Sequence, residues 1–375
     1  MTQTIQIEQA RETSGAKVQS KRIEGYDVAR ALAIFGMIIV NFKIVMDSSN
    51  AGADWLVFFA GLFEGRAVAL FVILAGVGLS LLSRKSFQSG DVVARKQAQI
   101  RVLKRSAFLL VFGLLLATIW PADILHFYSM YMLIGAILLF QDSRSLVIVA
   151  TGLVIGFPVL FLLFNYEAGW NWQTLTQVDF WTPGGLLRSL FFNGFHPVFP
   201  WAAFLVFGMW LGRQDVKNPQ FRKRVIRIAL AVLIVTELTV AGLVALFSPE
   251  SGQEVASFLF SRAPIPPMPF YMLSAGSSAV IILMTVIQIG EQFSQSGWWK
   301  AMVTTGQFAL TLYVAHIIIG MGIMEFAGWI NGNVSLAWTI AYCIAFYLAG
   351  VLFSVIWQQR FKRGPFEALM RALTD

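Results

Sequence analysis

The chain has 375 residues, of which 57% are hydrophobic and 13% charged, with a mean hydropathy of +0.69. Charged residues approach a quarter of an average soluble domain, so this composition excludes a water-soluble core. The formal net charge of +8 is distributed between apolar stretches instead of on one face with interleaved aromatic side chains, which argues against nucleic acid as a partner. The single cysteine, Cys343, excludes an intrachain disulfide and a cysteine-based metal site.

The polar N-terminal segment, residues 1–26, is predicted to be a mobile cytoplasmic tail. Thr, Gln, Glu and Ser dominate it, and nothing repeats at helical spacing. It has no apolar core flanked by a small-residue cleavage site, so the first span is expected to direct insertion itself. Residues 27–375 are then predicted to form a single transmembrane helical domain.

Apolar stretches long enough to cross a bilayer follow one another through the rest of the chain. Because a helical crossing needs about twenty apolar residues, the pattern predicts an all-α fold, a polytopic membrane helix bundle with about ten spans. The glycine pairs Gly61/Gly65, Gly152/Gly156 and Gly208/Gly212 are expected to let these helices approach closely. The predicted spans are Val28–Met46, Arg66–Leu82, Ser106–Trp120, Ile124–Phe140, Ser145–Phe164, Pro197–Leu211, Ile228–Phe247, Phe270–Ile289, Gly306–Met324 and Leu336–Trp357.

Lysine and arginine residues are concentrated in alternate connections between the spans. They precede the first span, fill the connection from Arg84 to Arg105, and recur from Arg213 to Arg227 and after Arg360. Because such residues mark the cytoplasmic side, both termini are predicted to be cytoplasmic, in agreement with an even number of spans. The expected location is the cell inner membrane, with the lipid bilayer as a partner and homo-oligomerisation left open.

Polar groups inside the spans are the candidates for function, because a charged side chain at bilayer depth costs about 2.5 kcal/mol or more. In the first span, Arg30 is followed ten positions later by Asn41, about 16 Å further along a helix. Asp27 precedes Arg30 by three positions, so the two can pair on one helical face. The structural alternative is an ion pair at the membrane boundary, with Asn41 in a hydrogen bond between helices.

The second span opens with Glu64 and Arg66, at the outer edge of a hydrophobic stretch. Burial would require each of them to find a partner, and structural pairing explains them as well as function does. Beside a pocket, Arg66 could hold an anionic or carbonyl oxygen.

Three histidines are present, and histidine is the side chain best suited to proton transfer near neutral pH. His316 lies near the middle of the ninth span, His126 follows Asp123 by three positions, and His196 precedes Pro197. A satisfied structural role is the alternative for each. No two histidines lie four apart, so no metal site is predicted, and no phosphate loop, nucleophile elbow or dinucleotide fingerprint occurs.

Five ordered segments carry a family resemblance. They are Tyr26–Arg30 with Asn41, Phe63–Arg66 leading to Leu74–Gly76, Asp123–Tyr128, Gly306–Thr311 with Tyr313, and Arg363–Glu367. Together they resemble the bacterial YeiB-like family, which carries the domain DUF418. That family is similar to membrane acyltransferases such as the lysosomal heparan glucosaminide N-acetyltransferase and the acyltransferase-3 proteins, which use cytoplasmic acyl-CoA as donor.

The resemblance implies a membrane acyltransferase that moves an acyl group, such as acetyl, from acyl-CoA to a hydroxyl or amine of an envelope glycan, lipid or small molecule. His316 or His126 is then the expected base. Asn41 and Arg66 are expected to stabilise the oxyanion. Glu64 is expected to orient Arg66 or the base, and Arg30 with the basic Arg95–Arg105 connection is expected to meet the phosphates of the donor.

The chain departs from the acyltransferase-3 pattern, in which a histidine follows the first-span arginine at the position of Asn41. An amide cannot act as a general base. The same intramembrane groups would also suit a transporter or permease for a small polar or anionic metabolite, with His316 as a protonatable gate. A catalytically silent membrane scaffold is a third interpretation.

Overall fold

The computed structural model describes residues 22–49, 51–247, 259–330, 332 and 334–375. Residues 1–21 of the predicted tail therefore lie outside the described part. The first helix begins at Gly25, inside the range predicted as tail. Its residue Tyr26 is only 7% exposed and packs in the hydrophobic core, so the last residues of the predicted tail belong to the bundle.

The described part of the chain is mostly helical, and its only strands are two short antiparallel ones within residues 170–177. These strands, β1 (Trp170–Asn171) and β2 (Thr176–Gln177), pair Trp170 with Gln177. Two π-helical turns, Ser189–Asn193 and His316–Met321, interrupt the helices. The α-helices are α1 (Gly25–Val45), α2 (Asp54–Gly61), α3 (Arg66–Ser89), α4 (Val92–Ala117), α5 (Leu125–Leu138), α6 (Ser143–Leu163), α7 (Pro183–Arg188), α8 (Val198–Leu211), α9 (Pro219–Phe247), α10 (Pro269–Phe293), α11 (Gly297–Gln307), α12 (Ala309–Ala315), α13 (Gly322–Phe326), α14 (Leu336–Gln358) and α15 (Pro365–Thr374).

Seven helical segments of the described chain are long and apolar enough to cross a membrane, and α7 with α8, bent by 54°, makes up to eight. The protein is therefore a multi-pass helical membrane bundle, as predicted. A helix lies at each of the ten predicted ranges, but α5 has only 14 residues and α4 begins with a strongly basic half. The count of ten and the side on which the termini lie stay predictions.

Helices α3 and α8 pack through glycines. A Cβ on Gly76 would overlap the carbonyl oxygen of Leu205, and one on Gly208 would overlap that of Ile73. Gly212 likewise packs on α3, so the close approach predicted for the Gly208/Gly212 pair is confirmed. For Gly61 and Gly152, in contrast, that prediction is wrong, because a Cβ at either position would meet nothing within 4 Å.

Helix α1 lies inside the bundle and contacts α3, α10, α11 and α14. The approach of α11 is closest at Gly306, where a Cβ would overlap the backbone of Asp27. On the same pair of helices, the indole nitrogen of Trp299 donates to Glu24 at 2.9 Å. Helix α1 is thus fixed near its N-terminal end, and its residue Asn41 takes a defined position further along.

The segment between α6 and α8 is folded back on itself around Asn193, the last residue of the first π-helical turn. The side-chain amide nitrogen of Asn193 donates to the backbone carbonyl oxygens of Tyr166 and Ala168. The backbone carbonyl oxygen of Asn193 accepts a hydrogen bond from the indole nitrogen of Trp170 at 2.7 Å. Trp170 stacks on Trp172 at 4.5 Å between ring centroids. The segment is therefore an ordered layer over the C-terminal end of α4 and the N-terminal end of α5.

Candidate active site

A carboxylate and an imidazole pair at the start of α5. Nδ1 of His126 lies 3.1 Å from Oδ2 of Asp123, and both side chains are fully buried. Because an ionised carboxylate only accepts hydrogen bonds, Nδ1 of the neutral ring carries the proton and Nε2 keeps a lone pair. Among the described residues, Nε2 has no hydrogen-bond partner. The pair therefore has the arrangement of an oriented general base.

Asp123 is held in place by groups from two parts of the chain. The backbone N–H of Leu125 donates to Oδ2 at 2.8 Å, and the hydroxyl of Tyr313 donates to Oδ1 at 2.9 Å. The Tyr313 oxygen also accepts from the backbone N–H of Ile124 at 3.0 Å. These bonds satisfy the buried carboxylate, which would otherwise be strongly destabilising.

Tyr313 also connects the Asp123–His126 pair to His316. Nδ1 of His316 contacts the carbonyl oxygen of Tyr313, and Nε2 lies 2.9 Å from Nδ2 of Asn41. A carbonyl only accepts and an amide nitrogen only donates, so Nδ1–H donates to Tyr313 while Nε2 accepts from Asn41. Both nitrogens of His316 are therefore occupied, whereas His126 has one free.

Local sequence explains how these residues meet. Helix α4 ends at Ala117, Pro121 follows in the connection, and α5 starts at Leu125, two residues after Asp123. Gly113 allows α4 to lie against the backbone of His126, where a Cβ would overlap. His316 begins the second π-helical turn, and such turns are frequent at functional sites.

Arg66 and Glu64 have separate partners. Arg66 donates to the hydroxyl of Ser274 at 3.3 Å and lies 3.8 Å from the carboxylate of Glu237. Glu64 forms an ion pair with Lys43, on α1. The expectation that it orients Arg66 or the base stays a prediction. The sequence carried a signal for both new partners, because Lys43 and Glu237 are lone charges within apolar stretches of α1 and α9.

Aromatic and histidine side chains lie between Arg66 and His126. The rings of Tyr271 and Trp201 are tilted by 50° with their centroids 5.5 Å apart. The Trp201 ring lies 4.8 Å from that of His196, which in turn packs on Phe127. In the described structure the side-chain Oη of Tyr271, Nε1 of Trp201 and Nδ1 of His196 are buried without hydrogen-bond partners. Unpaired buried polar atoms are costly, so this cluster is a candidate for contact with a polar ligand.

Arg30 forms the predicted pair with Asp27, at 3.0 Å, and also donates to the carbonyl oxygen of Gly306 at 3.3 Å. A second arginine, Arg22, approaches the same carboxylate at 2.9 Å. The first and fourth segments of the sequence resemblance therefore meet in space. Arg30 keeps 28% of its side chain exposed, which leaves part of the guanidinium accessible.

A second group of arginines lies at the end of the bundle that carries α15. Arg105 forms an ion pair with Asp375 at 2.7 Å, and Arg101 lies 3.6 Å from the same carboxylate. Arg95, in contrast, donates to the backbone carbonyl oxygens of Ser86 and Phe87, at 3.3 and 3.2 Å.

Helix α15 anchors the helix that carries Tyr313 and His316. Glu367 accepts from the backbone N–H of Leu310 at 2.7 Å and from the hydroxyl of Thr311 at 2.5 Å. Burial raises the pKa of the Glu367 carboxyl above its usual value, and these hydrogen bonds, which lower the pKa, offset only part of that effect. The fourth and fifth segments of the resemblance are thus also in contact.

No group of three or more His, Cys, Asp or Glu side chains in the part of the chain that the structure describes could hold a metal ion.

These features define a class of protein: a multi-pass helical membrane protein with an Asp–His pair buried inside its bundle. Two families of known proteins match this chain. Residues 22–248 match the family described as heparan-alpha-glucosaminide N-acetyltransferase, catalytic, and residues 211–375 match the protein family of unknown function DUF418. The chain belongs to the YeiB-like DUF418 family, which is related to the heparan-alpha-glucosaminide N-acetyltransferase-like acyltransferases.

Two relatives cover nearly the full length. The chain is 24% identical over 410 residues to the uncharacterized protein YxaH of Bacillus subtilis (strain 168), covering 95% of this chain and 94% of the relative. It is 25% identical over 387 residues to the uncharacterized protein YeiB of Escherichia coli (strain K12), covering 93% and 95% respectively. The resemblance suggested by the five segments therefore extends over the whole fold.

Proposed function

We propose that the protein is an inner-membrane acyltransferase that moves an acyl group from cytoplasmic acyl-CoA to a hydroxyl or amine of an acceptor reached from the outer side. Both termini are cytoplasmic in this proposal. The match to an acyltransferase family supports the reaction class. The observation that carries the proposal is the buried Asp123–His126 pair, whose Nε2 has no partner among the described residues.

His126 acts as the general base in this mechanism. Its Nε2 takes the proton from the acceptor O–H or N–H as the acceptor oxygen or nitrogen attacks the thioester carbonyl carbon. The tetrahedral intermediate then collapses, the C–S bond breaks, and the imidazolium returns the proton to the departing thiolate of CoA. Asp123, bonded to Nδ1–H, stabilises the imidazolium between these two steps.

Asn41 is the better supported of the two proposed oxyanion donors. One N–H of its amide is used on Nε2 of His316, and the other is left for the developing negative charge. Arg66 is partly neutralised by Glu237, which reduces its value as an electrostatic donor. His316 then positions Asn41 and does not act as the base, because both of its nitrogens already have partners.

Arg30 and Arg105 are proposed to meet the phosphates of acyl-CoA. Each side chain retains exposed surface, 28% for Arg30 and 15% for Arg105. Arginine forms strong charge-assisted bonds with phosphate oxygens. Arg105 is paired with the carboxylate of Asp375, and a phosphate of the donor would replace that carboxylate on binding.

Purified protein in lipid nanodiscs supplied with acetyl-CoA provides the test, with the free CoA thiol followed by a thiol-reactive dye. The acyltransferase proposal expects thiol release that depends on the protein and on His126. A transporter would leave the thioester intact and move labelled solute into proteoliposomes, and that combination of results would refute the proposal.

A further inference from the structure

An open groove of about 420 Å³ lies where α14 ends and α15 begins. Three of the residues that line it are basic and none is acidic, within the part of the chain that the structure describes. The lining includes Trp357, Arg360, Phe361, Lys362, Arg363 and Ala368. The groove therefore combines positive charge with an aromatic wall.

The connection that forms the groove is held in one conformation by contacts of its own. The indole nitrogen of Trp357 donates to the backbone carbonyl oxygen of Arg363 at 3.0 Å, and its ring lies 4.6 Å from that of Phe361. The backbone N–H of Phe366 donates to the hydroxyl of Thr311 at 3.1 Å, which ties the start of α15 to α12. The groove is thus formed before any ligand enters it.

The three basic side chains of the groove are exposed and form no ion pair with any residue that the structure describes. Arginines outside the groove differ, because Arg105 and Arg371 reach the carboxylate of Asp375 at 2.7 and 4.0 Å. Glu367, an acidic residue of α15, is bound to α12. The positive charge of the groove is therefore uncompensated and suits an anion.

The groove opens at the lipid-facing side of the bundle. Helix α14 is long and apolar enough to cross a membrane, and its side chains Leu352, Phe353 and Ile356 are exposed near its C-terminal end. The ring of Phe353 lies 5.3 Å from that of Trp357, so an aromatic strip leads from the span into the groove. Tryptophan, lysine and arginine at the end of a span are typical of the headgroup level of a bilayer.

Helix α15 continues this boundary beyond the groove. Leu369 and Leu373 are both exposed and lie four positions apart, so they share one face of the helix. A short helix with an exposed apolar face next to basic residues is typical of the membrane interface. The side of the groove formed by α15 therefore also adjoins lipid.

We propose that this groove binds one anionic phospholipid of the surrounding bilayer. Its phosphodiester is held by Arg360, Lys362 and Arg363, because these side chains form strong charge-assisted bonds with phosphate oxygens. One acyl chain runs from the groove along Trp357 and Phe353. This binding involves no reaction step and does not depend on the proposed acyl transfer.

Lipid binding to the purified full-length protein in detergent tests the site. Native mass spectrometry counts the bound lipid molecules during titration with phosphatidylglycerol or with phosphatidylcholine, whose headgroup carries its own cation. One phosphatidylglycerol molecule is expected to bind at least about tenfold more tightly than phosphatidylcholine. Equal affinities for the two lipids would overturn the proposal.

Soluble anions distinguish a lipid from a free phosphate ligand. The phosphatidylglycerol titration is repeated with a molar excess of inorganic phosphate or of acetyl-CoA. Bound phosphatidylglycerol is expected to remain, because its acyl chain adds apolar contact that neither soluble anion provides at this strip. Displacement by inorganic phosphate would show a general anion site, and displacement by acetyl-CoA would assign the groove to that donor. Either result would refute the lipid assignment.

A triple glutamine variant removes the positive charge of the groove, and a second triple variant removes the same charge from exposed residues of α9 outside it. The groove variant is expected to lose at least about tenfold in affinity for phosphatidylglycerol, and the α9 variant to retain its affinity. An equal loss in both would mean a response to net charge alone and would contradict the site. The substitutions are Arg360→Gln, Lys362→Gln and Arg363→Gln in the groove, and Lys223→Gln, Arg224→Gln and Arg227→Gln in α9.

A further variant fills the groove while every charge stays in place. Ala368→Trp inserts a large side chain into the groove and is expected to weaken phosphatidylglycerol binding by about tenfold. Ala372→Trp is the matched control, because Ala372 is also exposed, lies one turn further along α15 and does not line the groove. Thermal unfolding verifies that both variants are folded. Wild-type binding by folded Ala368→Trp, or the same loss in Ala372→Trp, would place the lipid elsewhere.

Discussion

The side-chain amide of Asn41 in α1 donates a hydrogen bond to Nε2 of His316 across 2.9 Å, between residues 275 positions apart in the chain. The bond joins the central helix of the bundle to the π-helical turn that follows α12. It occupies the nitrogen that His316 would need as a base. The free imidazole nitrogen of this network therefore belongs to His126, at the other end of a path that runs through Tyr313 and Asp123.

Replacement of Tyr313 by phenylalanine should lower activity by more than the accompanying loss of folding stability accounts for. The change removes the hydroxyl that donates to Asp123 and accepts from Ile124 N–H. We expect a loss of about 1–3 kcal/mol in the free energy of unfolding. Because Asp123 loses a positioning contact, kcat for thiol release should fall up to about a hundredfold.

Tyr347→Phe is the control for that experiment. Tyr347 is also a buried tyrosine, and its hydroxyl donates to the carbonyl oxygen of Ala31 at 3.0 Å, away from the Asp123–His126 pair. Thermal unfolding should shift similarly in both variants, and only Tyr313→Phe should lose activity. Equal activity in the two variants would remove Tyr313 from the site.

Asp123→Asn should reduce turnover while the protein remains folded. An asparagine side chain can donate to the imidazole, so His126 would be held with the wrong nitrogen protonated and its base strength lost. We expect kcat to fall by about a hundredfold to ten-thousandfold. Asp142→Asn is the matched control, because Asp142 is an exposed carboxylate that caps α6 and asparagine caps equally well. Equal kcat values in these two variants would contradict the assignment.

Arg30→Gln and Arg105→Gln should each weaken donor binding. A hydrogen bond to a charged group is worth about 1.5 kcal/mol or more, so KM for acetyl-CoA should rise at least about tenfold. For acetyl-pantetheine, which lacks the nucleotide phosphates, KM should not change. Arg95→Gln serves as control, since its guanidinium donates to the Ser86 and Phe87 carbonyls. An equal rise in KM for both donors would show that the two arginines do not read phosphate.

Gly76→Ala should destabilise the bundle at the contact of α3 with α8. The new methyl group would overlap the carbonyl oxygen of Leu205, and overpacking of this kind costs about 1–3 kcal/mol. Gly78→Ala, two residues along the same helix, meets nothing within 4 Å and should leave the unfolding temperature in detergent unchanged or slightly raised. A similar unfolding temperature for both variants would contradict this packing.

Much of the fold follows from the sequence, because apolar stretches of spanning length must be helical in lipid. A helix lies at each predicted span. Helix α2, the interior helix α11 and the strands before α7 were not anticipated, since short elements leave no long apolar signal. Helix α4 shows why span counting is ambiguous, because its basic first half continues into the apolar second half without a break.

The site was predictable in its members but not in its pairings. Polarity inside apolar runs identified Asn41, His126 and His316, and spacing identified the bond of Asp27 with Arg30. Pairings across the bundle depend on helix packing, which no local pattern encodes. Lys43 with Glu64 and Tyr313 with Asp123 are examples, each formed between residues on different helices or connections.

The relative importance of His126 and His316 tests the account most directly. Thiol release from acetyl-CoA by His126→Ala and His316→Ala should be measured side by side in nanodiscs, with folding checked by thermal unfolding. We expect His126→Ala to lose at least about a hundredfold in kcat and His316→Ala to lose much less, because of these two histidines His126 has a ring nitrogen without a partner among the described residues and His316 does not. A folded His126→Ala variant with wild-type turnover, or a complete loss confined to His316→Ala, would contradict the mechanism.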